Sequence, residues 1–159
     1  MTTSKTAETK VVLLGEPNLQ ERNATAAIVP AMLCYERSGE LDPLPAATRW
    51  DGALALDKDG LGQGFSGVYA TDSAEDNAYA IGEEARYAVV DLGDDFHAWA
   101  LADGSDISEG DLLEISATDG ILQKHGSGTA VAVALEDLAM SGISVNTPIA
   151  CRRAIVSST

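Results

Sequence analysis

Hydrophobic positions along the chain fall in short runs separated by glycine, proline and aspartate, and several runs alternate apolar with polar residues. Short alternating runs of this kind are typical of β-strands. Two other stretches, residues 73–80 and 136–141, are predicted as helices of at most two turns. The pattern therefore indicates an all-β fold, a small barrel or sandwich. The predicted strands are residues 28–36, 41–44, 52–56, 67–70, 86–91, 97–101, 112–116, 121–124, 130–135 and 149–156.

Much of this pattern occurs twice. Ile28–Tyr35 aligns with Ile107–Glu114 at an offset of 79 residues. Ala85–Val90 aligns with Cys151–Val156 at an offset of 66. Internal repetition of this kind predicts a duplicated β unit. We expect the copies to span about residues 26–91 and 105–157, with an insertion at about 51–77 in the first copy.

Each copy also contains a hairpin signal at the same place. Ser38-Gly39 and Asp119-Gly120 both lie between apolar runs, and Gly39 aligns with Gly120 at an offset of 81. Such dipeptides favour tight β-hairpins because glycine adopts positive φ without steric cost. Both copies are therefore predicted to contain a hairpin.

Residues 1–25 are polar apart from Val11-Val-Leu-Leu14, which precedes a break at Gly15-Glu-Pro17. A segment with so few apolar residues buries too little surface to fold alone. We therefore expect an extended N-terminal arm over residues 1–25 that lies on a neighbour, and a folded domain over residues 26–159.

Charge limits the choice of partner. The chain carries 10 Lys and Arg against 25 Asp and Glu, a formal net charge of −15. This balance argues against nucleic acid or an anionic membrane as a partner and favours a basic surface. No run approaches the ~20 apolar residues of a membrane span. Adaptation to high salt and ordinary acidity both remain open as reasons for the charge.

Candidate chemistry is sparse. Gly62-Gln-Gly64-Phe-Ser-Gly67 has the spacing of a dinucleotide loop but precedes a predicted strand instead of a helix. Asp57-Lys-Asp59-Gly60 begins like a calcium loop without the later oxygen ligands. His97 and His125 have no ligand partners at metal-binding spacing. We predict no catalytic residues, no metal site and no cofactor, and we expect the two cysteines, Cys34 and Cys151, to be reduced thiols.

The ordered series of repeat residues resembles the capsid cement, or head decoration, proteins of tailed viruses. In that family a strand is followed by Asp-Leu-Val/Leu-Glu, a short hairpin and an alternating Ala-Val run that ends in Leu-Glu-Asp. The chain departs from the family pattern at Ala31, where Gly is usual, and at Cys34 and Tyr35, which replace Val-Glu. Residues 51–77 have no counterpart. The segments that carry the resemblance are Ala27–Glu36, Ile81–Val90, Ala100–Gly104, Ile107–Glu114 and Val131–Asp137.

The resemblance implies a β-barrel or β-tulip-like domain without enzymatic activity, located on the outer capsid surface of the virion. Its implied partners are the major capsid protein and other copies of itself, as a homotrimer, and the acidity would suit a virus of a halophilic host. Alternating small residues on the 130–135 strand predict close packing, in a barrel core or at a protomer interface. The residues expected to contact the capsid or another subunit are Val11, Val12, Leu13, Leu14, Pro17, Ala130, Ala132 and Ala134.

An alternative from another class is a small-molecule or carbohydrate-binding β-barrel. Its pocket would be formed by Trp50, Tyr69, Trp99 and the glycine loop at residues 62–67. The two hypotheses differ in where these aromatic side chains lie. A binding module needs them together in one cleft, whereas a cement protein leaves them scattered in cores or interfaces.

Overall fold

The computed structural model describes residues 11–14, 18–46, 48–56 and 78–156, and these residues form an all-β fold. The predicted fold class is confirmed. Within these ranges no helix is long and apolar enough to cross a membrane. In chain order the strands are β1 (Val12–Leu14), β2 (Asn18–Ala24), β3 (Cys34–Arg37), β4 (Glu40–Pro43), β5 (Ala53–Ala55), β6 (Glu84–Val89), β7 (Asp95–Ala100), β8 (Leu112–Ile115), β9 (Leu122–Lys124), β10 (Ala130–Ala134) and β11 (Thr147–Val156).

The second half of the chain forms a closed sheet. Its strands follow the order β7-β11-β10-β8-β9, and β9 returns to pair with β7 through Ala100 and Leu122. β1 pairs with β7 along the same edge as β9 but near the start of β7, where Val12 lies opposite Phe96. β9 and β1 together cover the second edge of β7, and covering sheet edges is how small barrels satisfy their backbone groups.

The first half forms a second sheet in the order β3-β4-β2-β6-β5. A single bridge between Leu33 and Leu54 joins its two ends. Both halves contain the same pairings: the parallel pair β2–β4 corresponds to β7–β9, and the antiparallel pair β2–β6 corresponds to β7–β11. The duplicated β unit is thus visible in the strand topology.

Loop hydrogen bonds repeat as well. Ala31 N–H donates to the carbonyl of Ala55 over 2.8 Å, and Gly110 N–H donates to that of Ala134 over 2.9 Å. Both pairs are related by the offset of 79 found in the sequence. Ala31 has φ of 66° and Gly110 has φ of 88°. Ala31 therefore adopts a left-handed backbone conformation that normally favours glycine. Its backbone hydrogen bond shows that the first repeat forms the same turn here as the second.

The last strand of each unit requires a correction. Tyr87 lies opposite Ala55 on β5, and Cys151 lies opposite Ala134 on β10. The matching offset is therefore 64, and the predicted offset of 66 is wrong by two residues. Because side chains alternate along a strand, a shift of two residues keeps the same face inward, so the apolar pattern alone did not distinguish the two alignments.

β2 lies within the segment predicted to be an arm, and the prediction is wrong for residues 18–24. β2 pairs with β6 from Asn18 to Asn23 and with β4 at Asn23 and Ala24. It is therefore the middle strand of the first sheet. Val11 and β1, which also belong to the predicted arm, are described. Residues 1–10 and 15–17 of that arm lie outside the described residues.

The helix predicted at residues 136–141 is absent. Leu138 exchanges two backbone hydrogen bonds with Ile107 instead. The carboxylate of Asp106 accepts hydrogen bonds from the amides of Met140 and Ser141 at 2.7 and 2.9 Å. These bonds fix an extended segment, since the amides that a helix would use already have partners. In the other predicted helix, residues 73–77 lie outside the described residues and Tyr79 pairs with Ile28.

One hydrophobic core connects the two halves. It contains Leu33 and Leu54 from the first unit together with Leu113 and Leu122 from the second. Trp99 on β7 donates through Nε1 to the carbonyl of Pro30 over 2.7 Å, which ties the second barrel to a loop of the first. The two repeats are therefore packed as one body.

Arg153 on β11 adds a polar link between the units. Its guanidinium donates to the carbonyls of Val90 and Trp50 and lies 5.1 Å from the centre of the Trp50 ring. Burial lowers the pKa of Arg153, and the nearby carboxylates of Asp51 and Asp91 act in the opposite direction. The charge is retained because two carbonyl oxygens and the ring face replace its hydration.

Candidate functional site

The alanines predicted as interface residues lie inside the molecule. Ala130, Ala132 and Ala134 on β10 are each at most 1% exposed. Their small side chains allow β10 to lie between β8 and β11 in the barrel wall. Of the two alternatives left open by the sequence, the barrel core is the one that the structure shows.

The first two residues of the apolar run near the N-terminus are also buried. Val11 and Val12 are 0% and 2% exposed and belong to the main core. These side chains contact their own barrel, so they are not available to a capsid or to another subunit. The side chains of Leu13 and Leu14, and all of Pro17, lie outside the described residues.

The aromatic pocket of the alternative hypothesis does not form from its described members. Trp50 is 2% exposed and donates to the carbonyl of Ala53 over 2.8 Å. Trp99 is 3% exposed and is held by Pro30. Both rings fill core space instead of lining a cleft. Tyr69, the glycine loop and the Asp57–Gly60 segment lie outside the described residues.

Other polar side chains and the two cysteines also have structural surroundings. Asp95 forms a two-pronged ion pair with Arg152, with N–O distances of 2.7 and 3.2 Å. Cys34 and Cys151 are free and buried. Burial raises the pKa of both thiols. Such thiols pack as small hydrophobic groups and react slowly.

A cluster around Glu114 is the strongest candidate site in the described part of the chain. Glu114 on β8 is 8% exposed, and its carboxylate accepts from Gln123 Nε2 at 2.9 Å and from the Gly128 amide at 2.7 Å. His125 Nδ1 lies 2.8 Å from Oε2 of Glu114. Because an ionised carboxylate only accepts hydrogen bonds, Nδ1 carries the proton and donates.

The β8–β9 hairpin positions this cluster. Its register places Glu114 opposite Gln123, and His125 follows two residues later at the end of β9. The sequence analysis considered His125 alone and did not connect it with Glu114. The hairpin signal at Asp119-Gly120 was the available clue, since it fixes which side chains of the two strands face each other.

A shallow cavity of about 250 Å³ adjoins the carboxylate. Its walls combine small and polar side chains from both halves of the chain. A cavity of this size is below the range that usually holds a small-molecule ligand. The residues that line it are Ala46, Thr48, Glu114, Ile115, Ala117, Gln123, Ser127, Gly128 and Thr129.

The electrostatics of Glu114 favour a structural role. Burial acts to raise the pKa of this carboxyl, but hydrogen bonds from Gln123, Gly128 and His125 outweigh it and lower the pKa to about 2. A general acid or base works best with a pKa near the working pH. Glu114 therefore remains an anion that holds the 125–128 loop against β8. Among the described residues no three His, Cys, Asp or Glu side chains are arranged to hold a metal ion.

Comparison with known proteins gives a match in fold. No protein-family model matches the sequence, and no curated protein matches it at a significant level. The structure is similar to the crystal structure of the head fiber gp8.5 N base in bacteriophage phi29, with a TM-score of 0.54. The match covers 87% of this chain and 95% of that chain at 13% sequence identity. At this identity the similarity establishes a shared fold.

Proposed function

We propose that this protein is a structural component of a phage virion that decorates the outer capsid surface and stabilises contacts between major capsid subunits. The observation that carries the proposal is the fold shared with a phage head fiber base over nearly the whole of both chains. The series of repeat segments that resembles capsid cement proteins also supports it, because that resemblance rests on the residues themselves and not on the fold.

The polar groups of the described residues are consistent with a structural, non-enzymatic role. The best-formed polar cluster uses Glu114 to hold a loop, and its carboxylate accepts three hydrogen bonds from groups of the same chain. The buried Arg153 and both tryptophans connect the two repeats. A protein that clamps its neighbours needs this kind of rigid body more than it needs a reactive group.

Exposed apolar residues offer the surface for capsid contact, because the described side chains first expected to provide it are buried. Ile143 and Val145 are 41% and 55% exposed. They lie in the segment 138–148, which contains no charged residue although 22% of the chain is charged. Depletion of charge together with exposed apolar side chains is typical of the core of a protein interface. We propose that this segment faces the capsid.

Cryo-electron microscopy of the virion tests the location. The proposal expects density for this fold on the outer capsid surface, as trimers over the junctions between capsomers. Density in the tail or in the capsid interior would refute it. Virions of the unmodified virus that contain no density for this protein would also refute it. Particles that lack the protein should assemble but release DNA at a lower temperature than complete particles.

Binding to such depleted particles tests the contact surface. Replacing Ile143 and Val145 with serine should reduce binding at least tenfold without lowering the melting temperature, because both side chains are exposed. Leu92 is a matched control, since it is 61% exposed but lies between Asp91 and Asp94. Leu92→Ser should bind like the unchanged protein. Equal binding by all variants would remove segment 138–148 from the interface.

A further inference from the structure

The internal duplication identifies a sheet edge that is covered in one repeat and open in the other. In the second repeat, β11 occupies one edge of β7, while β9 and β1 share the opposite edge. There the amide of His97 donates to the carbonyl of Val11 over 2.7 Å. In the first repeat, β6 and β4 occupy the corresponding positions beside β2. No described strand occupies the position that corresponds to β1.

The strand pairings define the open edge residue by residue. Ala24 corresponds to Ala100, because each pairs in parallel with the second strand of its hairpin. Counting back along both strands makes Glu21 the counterpart of His97. Ala24 exchanges backbone bonds with Glu83 and Gly82 on the β6 side. Because backbone groups alternate along a strand, Leu19 and Glu21 direct theirs away from β6.

Exposure at this edge agrees with the pairing. Leu19 is 42% exposed, and the Glu21 side chain is 54% exposed. The carbonyl of Glu21 accepts a hydrogen bond from the side chain of Arg22, through Nη1 at 2.8 Å, and an incoming strand would replace this donor. Among the described residues, the amide of Glu21 has no backbone partner of the kind that Val11 provides to His97. We call residues Leu19–Glu21 the open β2 edge.

We propose that the open β2 edge binds the N-terminal residues 1–10 of a second copy of this chain as an added antiparallel or parallel strand. The same edge of the other repeat is already covered by N-terminal residues of this chain, so strand addition at this position is compatible with the fold. An extended segment of ten residues spans roughly 33 Å, several times the length of the three-residue edge.

The composition of residues 1–10 suits this position. The segment contains two lysines, Lys5 and Lys10, against one acid, Glu8, in a chain whose net charge is −15. It also contains four threonines, a β-branched residue enriched in strands. The Glu21 carboxylate lies 3.8 Å from Arg86 Nε and its side chain is half exposed, so it remains accessible to the lysines of this segment. The acidic remainder of a second copy is repelled by the net negative charge.

β1 places the residue that follows segment 1–10 on the second repeat. β1 runs antiparallel to β7, with Val12 opposite Phe96 and Leu14 opposite Asp95. The chain therefore enters β1 from the side where β9 pairs with Ala100 and leaves it toward β2. Val11, which follows residues 1–10, lies at the β7 edge of the second repeat, where its carbonyl accepts from the amide of His97 over 2.7 Å. Binding to a second copy is therefore distinguished from binding within one chain by the concentration dependence measured below.

Hydrogen exchange measured on the full chain over a range of protein concentrations tests the proposal. The amides of Leu19 and Glu21 should exchange at least tenfold more slowly at high concentration, in step with self-association measured by sedimentation. Protection that does not depend on concentration would show pairing within one chain and overturn the proposal. Amides that exchange rapidly at every concentration would overturn it as well.

A proline at position 21 tests the backbone contact itself. Glu21→Pro removes the amide directed away from β6 and leaves the β2–β6 hydrogen bonds in place, which is the one arrangement in which a strand tolerates proline. Self-association should fall at least tenfold with little change in melting temperature. Glu21→Gln keeps the amide and should retain most of the association. Association that persists in a folded proline variant would overturn the proposal.

Carbodiimide cross-linking of mixed isotope-labelled and unlabelled full chains covers the case in which the proline variant fails to fold. Links between Lys5 or Lys10 and Glu21 should join one labelled and one unlabelled chain. Links only within chains of one label, or no links to Glu21, would exclude exchange of N-terminal segments between copies. These experiments use the isolated protein, so their failure leaves the proposed capsid function to be decided separately by microscopy.

Discussion

A single carboxylate, Glu114, illustrates how hydrogen bonding overrides burial. Burial alone destabilises the charged form, yet donors from Gln123, His125 and the Gly128 amide lower the pKa to about 2. Hydrogen bonds to a charged group contribute more than those between neutral groups. The carboxylate therefore fixes the end of the β8–β9 hairpin and the loop that follows it.

Replacing this carboxylate with an amide should destabilise the protein in a pH-dependent way. Glu114→Gln removes the charge and one acceptor, and should lower the free energy of unfolding by about 1–3 kcal/mol at pH 7. The pKa of Glu114 is lower in the folded state than in the unfolded state. Its contribution is thus present above about pH 4.5 and is lost as the pH falls toward 2.

Urea unfolding at several pH values measures this effect. The difference in stability between the unchanged protein and Glu114→Gln should shrink as the pH falls from 4.5 toward 2. Glu84→Gln is the matched control, because Glu84 is exposed and the same charge is removed. A stability difference that stays constant over this range would show that Glu114 does not act through its charge.

At the scale of elements, both hairpin turns contain a glycine with positive φ, but the two glycines differ in surroundings. Gly39 and Gly120 have φ of 82° and 75°. A Cβ on Gly39 would meet nothing within 4 Å, whereas one on Gly120 would clash with Met32 Cγ and lie 2.8 Å from the Leu33 carbonyl oxygen. The amide and carbonyl of Gly120 also bond to Leu44 and Leu33. The second hairpin turn is therefore packed against the first repeat.

Alanine at these two glycines separates backbone strain from packing. Gly39→Ala should cost about 1 kcal/mol, because only the left-handed backbone is disfavoured. Gly120→Ala should cost about 1–3 kcal/mol more, because it also overpacks the contact between the repeats. Denaturant unfolding of both variants gives the comparison. Equal losses would mean that the Gly120 contact adjusts freely.

β10 provides a second test of packing between elements. Ala132 is fully buried, so Ala132→Leu should overpack the barrel and lower the free energy of unfolding by about 1–3 kcal/mol. Val133, which points to the opposite face and is only half-buried, is the control, and Val133→Leu should cost less. A change in oligomeric state without loss of stability would indicate a protomer interface at β10 instead.

Local signals explain which elements were predictable from sequence. The hairpins at Gly39 and Gly120 depend on short-range turn chemistry, and both were predicted at the correct positions. β2 was missed because Asn18–Ala24 contains only Leu19 and Ala24 as apolar residues. Its strand conformation comes from pairing with β4 and β6, which are distant in sequence, so the segment itself carries little signal.

The candidate site was predictable only in part for a similar reason. Glu114 and His125 are ordinary residues in the sequence, and their relation depends on the register of β8 and β9. The small residues of β10 correctly indicated close packing. Their pattern did not determine whether that packing lay within the barrel or between protomers, because both environments demand the same small side chains.

At the scale of the whole molecule, acidic charge opposes both folding and association. The net charge is −15 over 159 residues, and the described ion pairs, such as Arg152 with Asp95, are partly exposed. Exposed pairs each contribute at most about 1 kcal/mol. Repulsion among the unpaired acids is therefore expected to dominate the response to salt.

Stability and self-association should both increase with salt. Raising sodium chloride from 0.1 M to 1 M shortens the Debye length from ~10 Å to ~3 Å, which screens repulsion between the acidic side chains. Urea unfolding at each salt concentration measures the effect, because urea adds no ions of its own.

Salt also strengthens apolar burial, so a variant with fewer charges is needed as control. Substituting glutamine for Glu40, Glu84 and Glu109 removes three exposed negative charges and should flatten the salt dependence. An equal increase in stability for both proteins would assign the salt effect to apolar burial and contradict the electrostatic explanation.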